Sequence, residues 1–514
     1  MEYVIGCDIG TQSAKVILFS FEGEVIGESS SSYDIDYPHP LWAEQPVERW
    51  VKALKIALHK LIKQTNVDKK KIRSLGVASQ VDGVVPINAS GNPLRPAIIW
   101  MDKRSKDQCD EMDQTIGHER VFRITGLNVD PSHVAPKIRW IAENQPDVYD
   151  HANYFLLPGS YITFYLTGYV VVDYSNASSS MLMDVRHKRW SDEMCRQFDI
   201  DITRLAPLEA STNQIGNLKP DVANELGLDP GTVIVTGCGD EHSACVGAGV
   251  LRQGLVGAIV GTGEAVCTSS ADLLYDPTRL IETHCHADPD LWFIENPGFV
   301  SGGNYRWYRD NFAQEEMKKA KEINRSAYDL LDFAAEQVAP GSDGLIFLPC
   351  LMGAMTPDWN ELARGTFYGL TLSHTRNHFA RAILEGSAYG VRDITDQMQS
   401  MGLELQEIRV VGGGAKSRLW CQIKADVTGI PVFVPEITET TALGSAMLAM
   451  VGVGEYSSLL EVSEHVVRIA GHFEPRLFNQ EIYHEYYSLY RQLYTALEPI
   501  FLKSSRIHHS SGLS

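Results

Sequence analysis

The chain has 514 residues, more than one hydrophobic core accommodates, so two or more domains are expected. Its composition is that of a globular protein, 44% hydrophobic and 21% charged, without a low-complexity tract. A formal net charge of -20 argues against non-specific binding to nucleic acid or to an anionic membrane, and it favours a neutral small substrate over a phosphorylated one. An apolar run of bilayer-spanning length and a basic leader are both missing, and the nine cysteines form no CxxC pair, so they read as buried small hydrophobes in a reducing cytoplasm.

In chain order, Tyr3 to Thr11 is an apolar β-like run that breaks at Gly10-Thr11, and a second run follows from Lys15 to Ser20. The same strand, turn, strand pattern returns at Gly257 to Gly263, with Glu264 to Ser269 after it. Glycine lets backbone amides approach an anion, and threonine adds a hydroxyl donor. Pro46 to Gln64 reads as an amphipathic helix, with Trp50, Val51, Leu54 and Leu58 on one face. Leu75 to Val81 and Ala97 to Trp100 read as short strands, Pro230 to Gly237 as another, with a helical pattern to Gly249 and a linker over Leu251 to Gly254. Further helices are expected near Asn377 to Gln397, Ser417 to Thr428 and Asn479 to Leu497, and Ser504 to Ser514 as a disordered tail. Strands alternate with helices and the openings are hairpins, which predicts an α/β fold with mixed sheets. His284-Cys285-His286 with Asp288 has metal-like composition, but neighbours on a strand point to opposite faces, so a structural strand is the better reading.

Three places carry chemistry. Asp8, at a strand end beside the Gly-Thr turn, suits either water-mediated Mg²⁺ binding or a capped turn. Asp240 lies between an apolar strand and a helix, where it is either a helix N-cap, slightly favoured by spacing, or a base for a substrate hydroxyl. Gly412-Gly413-Gly414 joins a strand to a helix, a geometry that meets a phosphate or a purine, without the Lys-Ser/Thr ending of a Walker A loop.

Arg364-Gly365-Thr366-Phe367-Tyr368-Gly369-Leu370, followed by His378 to Glu385, fits the C-terminal signature of the FGGY carbohydrate kinases, which the chain resembles over roughly residues 3 to 500. Trp42 to Gln45, Arg95 to Trp100, Ala135 to Trp140, the glycine triplet and Thr441 to Ala446 extend the resemblance. It implies two ribonuclease-H-like domains of the actin-like ATPase superfold, residues 1–250 mainly for sugar and 251–503 mainly for nucleotide, around an interdomain cleft. It implies Asp240 as catalytic base and Asp8 as the metal-associated carboxylate. Thr11, Gly261, Thr262 and Gly263 would contact phosphate, and Gly413, Gly414 and Ser417 the adenosine. Val81, Asp82, Trp100, Asp102, Asp240 and Glu241 would meet the sugar. The cofactors would be ATP and Mg²⁺, the partner a small sugar, and a homodimer is the family's habit.

The N-terminal motifs resemble those of xylulokinases, which makes a ketopentose such as D-xylulose the expected substrate. Three departures point to another ketose or polyol, of ribulose, fuculose, rhamnulose or erythritol type. Val81-Asp82-Gly83 replaces Met-His-Gly, so a carboxylate stands where an imidazole is usual. Glu241 replaces Asn, and Ala354-Met355 replaces a charged pair. A non-catalytic sugar sensor and a non-kinase actin-like ATPase are the alternatives from other classes.

Overall fold

A computed structural model of the protein describes residues 1–354 and 360–510. Its contacts divide the chain into two units. Unit 1 comprises Met1–Arg252, Ser269–Ile294 and Glu439–Arg468, and unit 2 comprises Gln253–Thr268, Glu295–Thr438 and Ile469–Ser514. The main crossing, at 252/253, falls in the expected linker, but two segments of the second half belong with unit 1, so a contiguous division at 250/251 is too simple.

The strands of the unit 1 sheet are β1 (Tyr3–Ile9), β2 (Ser13–Ser20), β3 (Val25–Ser32), β4 (Ile72–Ser79), β5 (Gln214–Asn217), β6 (Val233–Val235) and β7 (Cys238–Gly239). Their order is β5-β6-β4-β1-β2-β3, with β7 also on β4. β1 runs antiparallel to β2 and parallel to β4, giving the mixed sheet expected from the hairpin opening. The Val47–Thr65 helix buries Trp50, Ala53, Leu54, Ala57, Leu58 and Leu61, the spacing of one helical face. It ends at Asn66, whose left-handed backbone returns its amide to Ile62 O.

The Thr440–Gly452 helix covers this sheet at van der Waals limits. A Cβ on Gly6 would lie 1.8 Å from Ala442 O, and one on Gly76 would lie 1.9 Å from Ser445 O. Gly444 meets the Asp240–Gly247 helix equally closely, at Ser243 O. Glycines on β1, on β4 and in the helix thus let four backbones touch, and the contact fixes the height at which β1 ends and the Asp240 helix begins.

Unit 2 is built on β8 (Leu255–Val260), β9 (Gly263–Ser270), β10 (Glu407–Gly412), β11 (Val432–Pro435) and β12 (Ile469–Phe473). β8 and β9 form the second hairpin, β8 and β10 are parallel, and so are β10 and β11, while β12 returns antiparallel. The Arg376–Ser400 and Arg418–Thr428 helices fall where periodicity predicts them. The last helix, Leu477–Ser510, runs through residues 504–510, which corrects the expectation of a disordered tail there; 511–514 lie outside the described residues. Seven cysteines are free and buried, but Cys245 and Cys267 are disulfide-bonded, against the expectation of nine thiols. Among the described residues no helix is long and apolar enough to cross a membrane.

Candidate active site

In unit 1 the residues singled out from sequence gather at one end of the sheet. Asp8 sits one residue before the end of β1, opposite Lys15 on β2. The turn between them closes through the Gly10 amide, which donates to Ser13 O at 3.0 Å. Lys15 Nζ donates to Glu439 Oε2 at 2.5 Å, and Asp8 Oδ1 is buried with no hydrogen-bond partner. Burial and the nearby Asp240 carboxylate push Asp8 up to about 7, with Lys15 opposing and Glu439 adding.

Thr11 is held from both sides. Its carbonyl accepts from Gln45 Nε2 at 2.7 Å, and its hydroxyl accepts from Trp100 Nε1 at 2.9 Å. Gln45 is fully buried, and its Oε1 accepts from Trp50 Nε1 and Gln80 Nε2. The Trp100 ring remains 41% exposed, an apolar face beside the turn.

Asp240 opens the Asp240–Gly247 helix, but the N-cap is Gly239, and the cap has no side-chain hydrogen bond. The N-cap reading of Asp240 is therefore corrected: the cap position belongs to Gly239, and the Asp240 carboxylate accepts from the Glu241 amide at 3.1 Å in the first turn. Burial, then Glu241, raise Asp240 to about 8 against the local backbone amides, with Asp82 adding. Asp240 thus acts electrostatically on Asp8, and Glu241 and Asp82 act on Asp240.

Asp82 holds a left-handed backbone, φ 59°, in the turn after β4. Its Oδ2 faces His133 Nδ1 at 3.2 Å, and its carbonyl accepts from Lys137 Nζ at 2.6 Å. Val81 packs on Gly239, where a Cβ would lie 2.7 Å from Val81 Cγ1, so this turn abuts the Asp240 turn directly.

Asp102 is different. It is fully buried, and its oxygens accept from the Ala43 amide, the Arg104 amide, and Arg104 Nε and Nη2. Arg104 in turn pairs with Glu44 at 2.7 Å and stacks 3.7 Å over Trp42. No acceptor is left for a sugar hydroxyl, so the expectation of Asp102 as a sugar ligand is corrected to a bracket that joins the Trp42 to Gln45 segment to Trp100.

In unit 2 the two glycine loops end adjacent strands. Val260, before the Gly261-Thr262-Gly263 turn, is paired in register with Gly412. A Cβ on Gly414 would overlap Val260 Cγ1 at 2.4 Å, which places the triplet against the turn. The Gly261 amide donates to Gly263 O at 2.8 Å, and Thr262 O accepts from the amides of Ser301 and Gly303. Arg306 Nη2 donates to Thr262 Oγ1 at 2.7 Å. Behind the turn, Glu264 accepts from Lys424 Nζ at 2.7 Å and from Ser301 Oγ at 2.6 Å, all buried. Ser417 caps the Arg418–Thr428 helix through Trp420 N at 3.1 Å.

The sequence reading missed Lys15, Gln45, His133, Arg306 and Glu439. Lys15 had a signal, as the one cation of an apolar run; Glu439 and His133 had none, since only folding brings them beside Asp8 and Asp82. Ala354 is buried and bridges to Asn360, while Met355 lies outside the described residues. His284 lies on a strand, Glu282–Cys285, as expected, with Nε2 3.7 Å from Glu282, while His286 turns to Ser269.

Residues 3–247 match the N-terminal domain of the FGGY family of carbohydrate kinases, and residues 256–453 match its C-terminal domain. The chain belongs to the FGGY family. It is 31% identical to a xylulose kinase of Bacillus subtilis over 495 residues, 96% of this chain and 97% of the relative. It is also 31% identical to a gluconokinase of the same organism over 507 residues, 98% of this chain and 96% of that one. The crystal structure of xylulose kinase from Rhodospirillum rubrum superposes with a TM-score of 0.88 at 29% identity, covering 97% of this chain and all of that one. This FGGY protein is accordingly a sugar kinase, and kinases of its family are ATP-dependent.

Proposed function

We propose that the protein transfers the γ-phosphoryl group of ATP to a hydroxyl of a free ketose, with a ketopentose such as D-xylulose as the first candidate. The observation that carries the reading is Asp240: a recessed carboxylate at a strand-to-helix turn, one residue past the N-cap, and raised to about 8 among other carboxylates. A carboxylate of that basicity is suited to accept the proton of an attacking hydroxyl near neutral pH. Trp100 offers an apolar face to the sugar, and Val81, Asp82 and Glu241 offer polar contacts around it. Thr11 and the Gly261-Thr262-Gly263 turn supply amide and hydroxyl donors for phosphate oxygens, while Gly413, Gly414 and Ser417 flank the adenosine.

The chemistry of the donor set fits Mg²⁺. A single carboxylate with an unpartnered, buried oxygen, Asp8 Oδ1, suits an ion that keeps most of its water shell. Bound there, the ion would neutralise charge on the transferring phosphoryl group. Lys15 holds Glu439 beside this position and limits the repulsion between the carboxylates.

A second reading, a kinase for another ketose or a polyol, draws on Asp82 standing where xylulokinases carry histidine. Cytoplasmic action and a homodimer complete the proposal. The test is ADP release from Mg-ATP with D-xylulose, D-ribulose, L-fuculose, L-rhamnulose, erythritol, glycerol and D-gluconate. A ketose that raises the rate well above the sugar-free background supports the reading; stimulation by gluconate alone overturns it.

A further inference from the structure

Gly239, the residue before Asp240, is gripped from several sides. It pairs in register with Ser79 on β4, and a Cβ on it would lie 2.7 Å from Val81 Cγ1. Its amide donates to Ser175 Oγ at 3.1 Å, across 64 positions of sequence. Ser175 lies in the short Tyr174–Ser178 helix and is fully buried. Asp173 caps that helix. Its Oδ1 accepts from the Asn176 amide at 3.0 Å and from the Ser175 hydroxyl, and its Oδ2 accepts from Asn176 Nδ2 at 2.6 Å.

A serine hydroxyl has one proton to give and lone pairs with which to accept. The Ser175 proton goes to Asp173, a carboxylate 3% exposed and surrounded by donors. Ser175 Oγ is thereby left as an acceptor, and what it accepts is the Gly239 amide. Burial raises Asp173, and the hydrogen bonds from Ser175 and Asn176 oppose that rise. Gly239 is also the N-cap of the Asp240–Gly247 helix, with φ -63° and ψ 151°. Glycine has no side chain with which to hold those angles. The Ser175 bond holds them from outside, and rotation about either angle would carry the Asp240 carboxylate with it.

We propose that Ser175 is a positioning residue for Asp240, that Asp173 keeps its hydroxyl in the accepting orientation, and that the pair sets where the Asp240 carboxylate stands relative to the attacking hydroxyl. The proposal rests on the reading of Asp240 as the base and deepens it, whichever sugar is the substrate. Ser175 and Asp173 are too deeply buried to meet a substrate, so their effect passes through Asp240. A general base needs geometry before basicity, and a misplacement of about 1 Å at a reacting group lowers the rate by as much as about 100-fold.

The experiment measures kcat and KM by ADP release with Mg-ATP and whichever of D-xylulose, D-ribulose, glycerol and D-gluconate the wild type turns over fastest. The variants are Ser175→Ala, Ser175→Thr, Asp173→Asn and Ser180→Ala, with Asp240→Asn alone and combined with Ser175→Ala; thermal unfolding checks that each is folded. Ser175→Ala should lower kcat about 10- to 100-fold with both KM values unchanged. Ser175→Thr keeps the hydroxyl and should recover part of the rate. Asp173→Asn, which can turn an amide donor toward Ser175 and reverse its hydroxyl, should lower kcat as well. Ser180 is the control: it is equally buried just past the same helix, but its hydroxyl donates to Ala177 O at 2.5 Å and accepts from the Leu182 amide at 3.1 Å. Ser180→Ala should leave kcat near wild type, whereas a merely structural role would make the two alanine variants alike. Combined with Asp240→Asn, Ser175→Ala should add no further loss to the residual rate, as for two residues acting as one unit. If Ser175→Ala does not fold, Asp173→Asn, alone and combined with Asp240→Asn, decides the matter. An unchanged kcat in the folded variants, an equal loss in Ser180→Ala, or a full further loss on top of Asp240→Asn overturns the proposal and leaves the kinase reading standing. Near-normal turnover of Asp240→Asn, or background rates of wild type with all four compounds, overturns the reading of Asp240 as the base, and this proposal with it.

Discussion

Asp240 and Asp8 are the two side chains whose chemistry is most exposed to test. Both are carboxylates raised far above their usual range, to about 8 and about 7, by burial first and by a neighbouring carboxylate second, Glu241 for Asp240 and Asp240 for Asp8. If Asp240 takes the hydroxyl proton, Asp240→Asn should lower kcat by at least about 100-fold, the usual scale of a lost general base, while ATP still binds by calorimetry. Near-normal turnover would refute the role. The same shifts act on stability. A carboxyl protonated more readily in the folded chain than in the unfolded one contributes stability that is complete below the unfolded pKa and is lost as pH rises through the folded one. The metal-free protein should therefore lose thermal stability between about pH 4 and pH 8, and Asp8→Asn should flatten that decline in a melting series. A wild-type curve as flat as the variant's would mean that Asp8 is not raised. Asp8 and Asp240 were both legible as candidates from their places beside glycine turns. What stayed illegible was which of two local roles each plays. A cap and a base occupy the same sequence position; the observed cap at Gly239 removes the first reading and leaves the second to the Asp240→Asn test.

At the scale of elements, glycine contacts and one buried ion pair hold the ends that carry the candidate site in place. Gly6→Ala would drive a Cβ into the carbonyl of Ala442, and backbone on both sides prevents an easy retreat. A loss of about 3 kcal/mol is expected in urea unfolding, against about 1 kcal/mol for Gly454→Ala, where φ is 78° but nothing lies within 4 Å. Equal losses at both sites would show that backbone conformation, not the helix contact, sets the demand for glycine. In unit 2, Glu264→Gln leaves Lys424 buried without its counter-charge, a change of about 3 kcal/mol or more. Because Glu264 follows Gly263 directly, the KM for ATP should rise in Glu264→Gln with the sugar KM unaffected; an unchanged ATP KM would detach this pair from the proposed phosphate-binding turn. Helix and strand positions followed from periodicity, as Val47–Thr65 and Arg376–Ser400 illustrate. The packing of the Thr440–Gly452 helix on β1 and β4 did not, because its contacts join residues more than 350 positions apart, and no local pattern encodes such a pairing.

For the whole molecule, the course of the chain matters more than its division near residue 252. Unit 1 needs Glu439–Arg468, which carries the helix that covers Gly6 and Gly76. Residues 1–252 expressed alone should expose that face of the sheet and bind a hydrophobic dye, whereas the full-length chain should not. A well-folded 1–252 fragment with sharp near-ultraviolet signals would contradict this dependence. The sequence by itself determined the family, the mixed α/β class, both glycine hairpins and most of the catalytic candidates, because strand–turn–helix patterns and the Arg364 to Glu385 signature are local and survive in one dimension. The tertiary structure alone decided that Asp102 is saturated by Arg104 and Ala43, that Asp240 lies one residue past the N-cap, and that His133 stands behind Asp82. Each of these depends on which donor arrives from a distant segment, and a carboxylate's function is settled by the partners it still lacks once the chain has folded.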